Sequence, residues 1–235
     1  MINNKVFLFL IFTILVDSAC MAQTSFQEIE ACPCKTGGVY FAYKNPTVNL
    51  SPAPSGYFPF YISHYGRHGS RYLISDQDYK NVLDIFIKAN NAKVLTQLGG
   101  KVLKDLKDLW QEVEGHGGDL SIIGRDQERG IAERMVHNFP TLFSGDKMIS
   151  ARSTLSFRCA MSMVAFGDRL KELNPYLHIY YEASNKYMKY LNYHTDSSNT
   201  FTNNNTGPWV EEYKKFESEH LHPKRLLYSL FNDSI

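Results

Sequence analysis

Tyr57 to Ser63 is an aromatic and β-branched run that leads directly into a glycine-punctuated loop, His64-Tyr65-Gly66-Arg67-His68-Gly69. This feature narrows the fold more than any other. Such a run predicts a buried strand. A strand that ends in a glycine-rich loop is where open α/β sheets place their ligand sites. The downstream pattern agrees. Asp78 is placed to cap a helix over Tyr79–Leu98, with Val82, Ile85, Phe86 and Ala89 at helical spacing and Gly99-Gly100 as its stop. Lys101–Glu114 repeats the pattern before Gly115-His116-Gly117-Gly118. Leu120–Gly124 is short and apolar, and Gln127–Phe139 reads as a helix ended by Pro140.

Met148–Arg152 and Leu177–Glu182 are the next candidate strands, the second with Leu177, Ile179 and Tyr181 alternating against His178 and Tyr180. Between them Leu155–Leu173 is helical, with Leu155, Cys159, Ser162, Met163, Phe166 and Leu170 on one side. Strands separated by helices predict an α/β fold: a parallel or mixed sheet flanked by helices. Thr195–Pro208 is rich in Ser, Thr and Asn and reads as a loop. Val210–Phe231 reads as helical and charged. Residues 23–56 carry turn signals such as Asn45-Pro46 and Ser51-Pro52-Ala53-Pro54 and are expected to be irregular.

The N-terminus reads as an export signal over residues 1–22. Lys5 is followed by an apolar run from Val6 to Val16, too short to span a bilayer, with small residues at Cys20 and Ala22. Cleavage after Ala22 fits this pattern. Lipoprotein processing at Cys20 is the alternative, with Asp17 in a poor position for it. A periplasmic or extracellular location follows, with no membrane span in the mature chain. Export also implies an oxidising compartment. Cys32 and Cys34 flank one proline, which disfavours a bridge between them; either could pair with Cys159, and Cys32-Pro33-Cys34 lacks the second ligand pair that zinc requires. The 25 basic and 24 acidic residues leave a formal charge of +1, which argues against a nucleic-acid partner held by bulk charge. It permits a small anionic ligand held by a few convergent cations.

Arg67-His68-Gly69-Ser70-Arg71 supplies those cations. Guanidinium groups grip phosphate in bidentate fashion, and glycines let backbone approach a ligand. Positive neighbours and burial both favour neutral imidazole, whose free nitrogen is a nucleophile. The set is coherent for attack on a phosphoryl group, giving a phosphohistidine. A basic surface turn is the plainer alternative.

The five residues also resemble the R-H-G-x-R signature of the histidine phosphatase superfamily, in its acid-phosphatase and phytase branch. With Tyr72, they look most like the multiple inositol polyphosphate phosphatase subgroup, although Tyr72-Leu73 stands where the branch usually has a residue and then proline. A second block, Ser153-Thr154 with Arg158-Cys159-Ala160-Met161-Ser162 and Ala165-Phe166, is similar to the family's segment that carries a pocket arginine ahead of a helix. A third, Gly124-Arg125-Asp126-Gln127 with Phe139-Pro140-Thr141-Leu142-Phe143, lies between them in the family's order. The likeness covers roughly residues 57–182.

The resemblance implies His68 as nucleophile, Arg67, Arg71 and Arg158 as phosphate-binding residues with Arg152 as the competitor to Arg158, and inositol phosphates as substrates. It implies neither a metal nor an organic cofactor. It divides the chain into a partial phosphatase core over 57–183 and the start of a helical insertion domain over 184–235, with the C-terminal part of the core missing. The family's proton donor follows a second histidine, as His-Asp or His-Ala-Glu. None of the eight histidines here is followed that way. A truncated hydrolase and a non-catalytic remnant that binds phosphate esters are therefore both expected readings. His64 is close enough to orient the motif, whereas Asp126 and Glu128 read as ordinary helix-start acids.

Overall fold

The computed structural model describes residues 25–46, 50–192, 195–203 and 206–232. The expected export signal and Cys20 lie outside these residues. Described residues up to Tyr43 form one compact unit, and those from Lys44 onward form a second.

In the first unit, helix α1 (Ser25–Ala31) precedes a 3-10 stretch from Pro33 to Tyr40. Good helix formers such as Gln27, Glu28 and Glu30 give α1 its propensity, so part of the segment expected to be irregular is helical. Cys32 and Cys34 are bonded to each other, contrary to the spacing argument. The turn at Pro33 brings their Cα atoms to 5.4 Å, within the usual reach of a disulfide. Cys159 is a free thiol.

The second unit holds two apolar cores. The first lies between α2 (Asp76–Asn91) and α3 (Gln97–Val113). Leu83, Phe86, Ala89 and Leu103 are buried there with Phe231. Ser75 caps α2, its Oγ accepting from the Gln77 N–H (3.0 Å) while the Asp78 carboxylate accepts from the Ser75 N–H (3.1 Å). Gly99-Gly100 does not stop a helix. It lies in the first turn of α3, where Thr96 Oγ1 accepts from the Gly99 N–H. Gly99 has a packing reason to be glycine, since a Cβ there would stand 2.1 Å from the Leu230 carbonyl oxygen. The segment 230–232 is latched at the same place: Thr96 N–H donates to Leu230 C=O (3.0 Å) and Asn232 N–H to Val94 C=O (2.8 Å).

The second core joins α4 (Ile122–Asn138), β1 (Lys147–Ser153), α5 (Phe157–Leu173) and β2 (Leu177–Ala183). Ala132, Phe143, Leu170 and Leu177 are its buried members. β1 and β2 form a parallel pair, Lys147 opposite Leu177 through Ser153 opposite Ala183. α5 connects them and packs on both, with α4 against α5. The α/β expectation holds, with helices around a small parallel sheet. The strand expected over 57–63 does not form: these residues have no ladder partner among the described residues. Ile62 packs into the second core and the His64 ring stacks on Phe166. Tyr57, Phe60 and Tyr61 are exposed.

Beyond β2 the expected loop contains a short helix, α6 (Asp196–Thr202), started by a capping box between Thr195 and Ser198. The expected long helix is two: α7 (Trp209–His220) and α8 (Lys224–Leu230), separated at Pro223. Proline cannot continue a helix interior.

Candidate active site

The loop Gly66–Arg71 crosses the N-terminal ends of α4 and α5, and its backbone is held by both. Gly69 N–H donates to Ser162 Oγ of α5 (3.1 Å). Ser70 N–H donates to Gln127 Oε1 of α4 (2.8 Å). The Ser70 carbonyl accepts from the N–H of Ser121 (2.9 Å) and from its Oγ–H (2.8 Å), and Ser121 also caps α4 through the Gly124 N–H. The crossing is close enough to require two glycines. A Cβ on Gly69 would lie 2.2 Å from the Gly124 carbonyl oxygen, and one on Gly124 would lie 2.0 Å from the Ser70 carbonyl oxygen. Arg71 continues into an isolated antiparallel bridge with Leu120. The short apolar segment Leu120–Gly124 is thus a loop anchor and helix start.

His68 is half-buried in this frame. Its Nδ1 lies 2.7 Å from the Gly69 carbonyl oxygen. A carbonyl only accepts, so Nδ1 carries the hydrogen, and in the neutral ring Nε2 keeps its lone pair. Burial pushes the His68 pKa below its ordinary value. The bond to Gly69 opposes this, while the charges of Arg158, Arg67 and Arg71 push it further down. Neutral imidazole with a bare Nε2 is the nucleophilic form.

The structure therefore brings His68, Arg67, Arg71 and Arg158 together. Arg67 is exposed, and Arg71 Nη1 donates to the Tyr72 carbonyl (2.7 Å). Arg158 sits in the first turn of α5, an end whose dipole also favours an anion. Its Nε is buried with no hydrogen-bond partner. Arg152 is elsewhere: it faces Glu182 (3.7 Å) across the β1–β2 pair and lies over the Tyr187 ring. His64 stacks on Phe166, centroids 5.3 Å apart, with burial lowering its pKa. It makes no bond to His68 and instead flanks Gly66, where a Cβ would meet its Nε2 at 2.9 Å.

No family model and no curated protein matches the sequence. A solved structure does match: the multiple inositol polyphosphate phosphatase of Bifidobacterium longum, in complex with inositol hexasulfate, with a TM-score of 0.62 and 20% identity over 83% of this chain. The chain shares part of the fold of that phosphatase. It spans about half of it, 49% of that chain's length.

Two groups at the site escape the sequence reading: Gln127 and Ser162, both more than nine-tenths buried beneath the loop. A serine inside the apolar stripe of α5 was the available signal. Glu128, read as a helix-start acid, is also buried, 5% exposed, and its burial pushes the carboxyl up to about 7. It is not among the groups whose charge shifts His68, which are Arg158, Arg67 and Arg71. Among the described residues, no three His, Cys, Asp or Glu side chains converge to hold a metal ion, and no helix is long and apolar enough to cross a membrane.

Proposed function

We propose that the chain is a phosphomonoester hydrolase-like protein of the inositol polyphosphate (phytate) phosphatase type, exported, and acting through a phosphohistidine on His68. The observation that supports this is one bare imidazole nitrogen set among three arginines. In the step proposed, the Nε2 lone pair forms the N–P bond as the ester P–O bond breaks, and its electron pair departs on the alkoxide. Arg67, Arg71 and Arg158 offset the charge of the non-bridging phosphoryl oxygens. The Nδ1–H bond to Gly69 stays in place while the ring takes positive charge. Water then attacks the phosphohistidine and releases inorganic phosphate. The substrate class draws on the sequence likeness and on the inositol hexasulfate complex of the matched phosphatase.

The alkoxide needs a proton, and none of the eight histidines is followed by the Asp or Ala-Glu that supplies it in the family this sequence resembles. This favours a second reading, a phosphate-ester binder that does not turn over. The two separate on leaving-group chemistry. p-Nitrophenolate departs without a proton, whereas an inositol alkoxide does not. Wild type and His68→Ala are incubated with p-nitrophenyl phosphate and with phytate, and both N-phosphorylation and phosphate release are measured. Turnover of phytate by wild type alone supports the hydrolase. Labelling of His68 by the aryl ester alone supports a half-equipped site. Binding without labelling supports the pure binder. Equal turnover in wild type and His68→Ala removes His68 from the chemistry.

A further inference from the structure

Gln127 and His68 hold opposite sides of one peptide group. Gln127 Oε1 accepts from the Ser70 N–H at 2.8 Å, and the Gly69 carbonyl accepts from His68 Nδ1 at 2.7 Å. That N–H and that carbonyl belong to the same amide, between Gly69 and Ser70. The described residues contain no cis peptide, so the two bonds of this planar unit point in opposite directions. Fixing the N–H aims the carbonyl. The peptide groups on either side are fixed as well, by Ser162 at the Gly69 N–H and by Ser121 at the Ser70 carbonyl. The central amide therefore has little freedom to rotate on its own.

We propose that Gln127 is the positioning residue of the nucleophile: through the Gly69–Ser70 peptide it aims the carbonyl that keeps the hydrogen on His68 Nδ1 and leaves Nε2 bare. Gln127 sits at 8% exposure on α4, so its acceptor is held by the helix that packs on α5. An amide polarised at its N–H is also a better acceptor at its carbonyl, because hydrogen bonds in a chain strengthen one another. Ser162 has the supporting part of keeping the loop seated while the amide is aimed.

The inference rests on the proposed chemistry only for its rate consequence; the tautomer stands apart from it. The experiment is ¹⁵N NMR of the His68 ring in the full chain, assigned by its loss in His68→Ala, for wild type, Gln127→Met and Gln127→Glu. Wild type is expected to hold the Nδ1–H form. Gln127→Met, with no acceptor of comparable strength, is expected to shift the ring toward Nε2–H. Gln127→Glu, which keeps an oxygen acceptor, is expected to restore it. Where His68 is phosphorylated by p-nitrophenyl phosphate, labelling by Gln127→Met is expected to slow by about tenfold or more, the scale of losing a partner that orients an imidazole, with KM little changed. A wild-type ring carrying its hydrogen on Nε2 overturns the inference without any variant. So does an unchanged tautomer in a folded Gln127→Met. A tautomer that shifts in a protein that never labels leaves Gln127 in place and removes the proposed chemistry instead.

Discussion

Glu128 gives the sharpest test of the packing beneath the loop. It shares the buried side of α4 with Gly124 and Ala132, one turn to either side, and Ala132 is fully buried. Among the described residues no hydrogen bond or ion pair reaches its carboxyl, and burial alone raises it from 4.5 to about 7. At ~1.4 kcal/mol per tenfold change in proton affinity, that corresponds to about 3 kcal/mol. The sign follows from linkage. Between these two values the folded state holds a proton that the unfolded state has released, so stability falls as pH rises through that window and levels off above it. Glu128→Gln removes the titration and keeps the shape. The variant is expected to match wild type at pH 4.5 and to be more stable by about 3 kcal/mol at pH 8. Urea unfolding of both proteins across this range measures the difference, provided the urea dependence is the same for both. A difference that does not change with pH, or one that favours wild type at pH 8, refutes the assignment of an unpartnered buried carboxyl.

Four further outcomes follow from the geometry. Gly124→Ala drives a Cβ to 2.0 Å from the Ser70 carbonyl oxygen; it is expected to cost ~2 kcal/mol or more in thermal unfolding and to displace the His68 loop, read by its NMR shifts. Arg158→Ala is expected to weaken inorganic phosphate binding by about tenfold or more, as loss of a charged hydrogen bond does, while Arg152→Ala leaves calorimetric affinity unchanged. Because its pKa is lowered, His68 is expected to stay neutral, and labelling by p-nitrophenyl phosphate to persist, below the pH at which ordinary histidine protonates; a pH series of initial labelling rates checks this. Ser75→Ala removes the cap of α2 and is expected to cost about 1 kcal/mol, measured by urea unfolding.

The local parts of this structure were legible from sequence. β2 follows from alternation, β1 lies where a candidate strand was read, and α5 follows from its apolar stripe. The His68 motif stands on its residue types alone. Long-range arrangements were not legible. Gly99-Gly100 reads as a stop because glycine destabilises helices, yet a backbone crossing at Leu230 makes glycine necessary there. Tyr57–Ser63 has the composition of a strand, but composition cannot say whether a neighbouring strand lies beside it. Glu128 and Gln127 sit one position apart on α4 and look alike as surface polar residues. The surroundings of α4 come from elsewhere in the chain: Gln127 is met by Ser70, 57 positions away, and α4 packs against α5. Cys32 and Cys34 went the other way, a local turn overriding a general spacing rule.

The latch between Thr96 and Leu230 has a consequence for synthesis on the ribosome. The α2–α3 core includes Phe231, whose ring lies 5.1 Å from that of Phe86. At typical elongation rates, roughly 6–24 s separate the emergence of Val113 from that of Phe231. Over that interval Leu83, Phe86 and Leu103 lack the last side chain of their core, whereas β1, α5 and β2 are made close together and can settle first. The nascent chain is thus expected to complete the α4–β1–α5–β2 core, against which the His68 loop is held, before the α2–α3 core, and to present the α2–α3 face to chaperones in between.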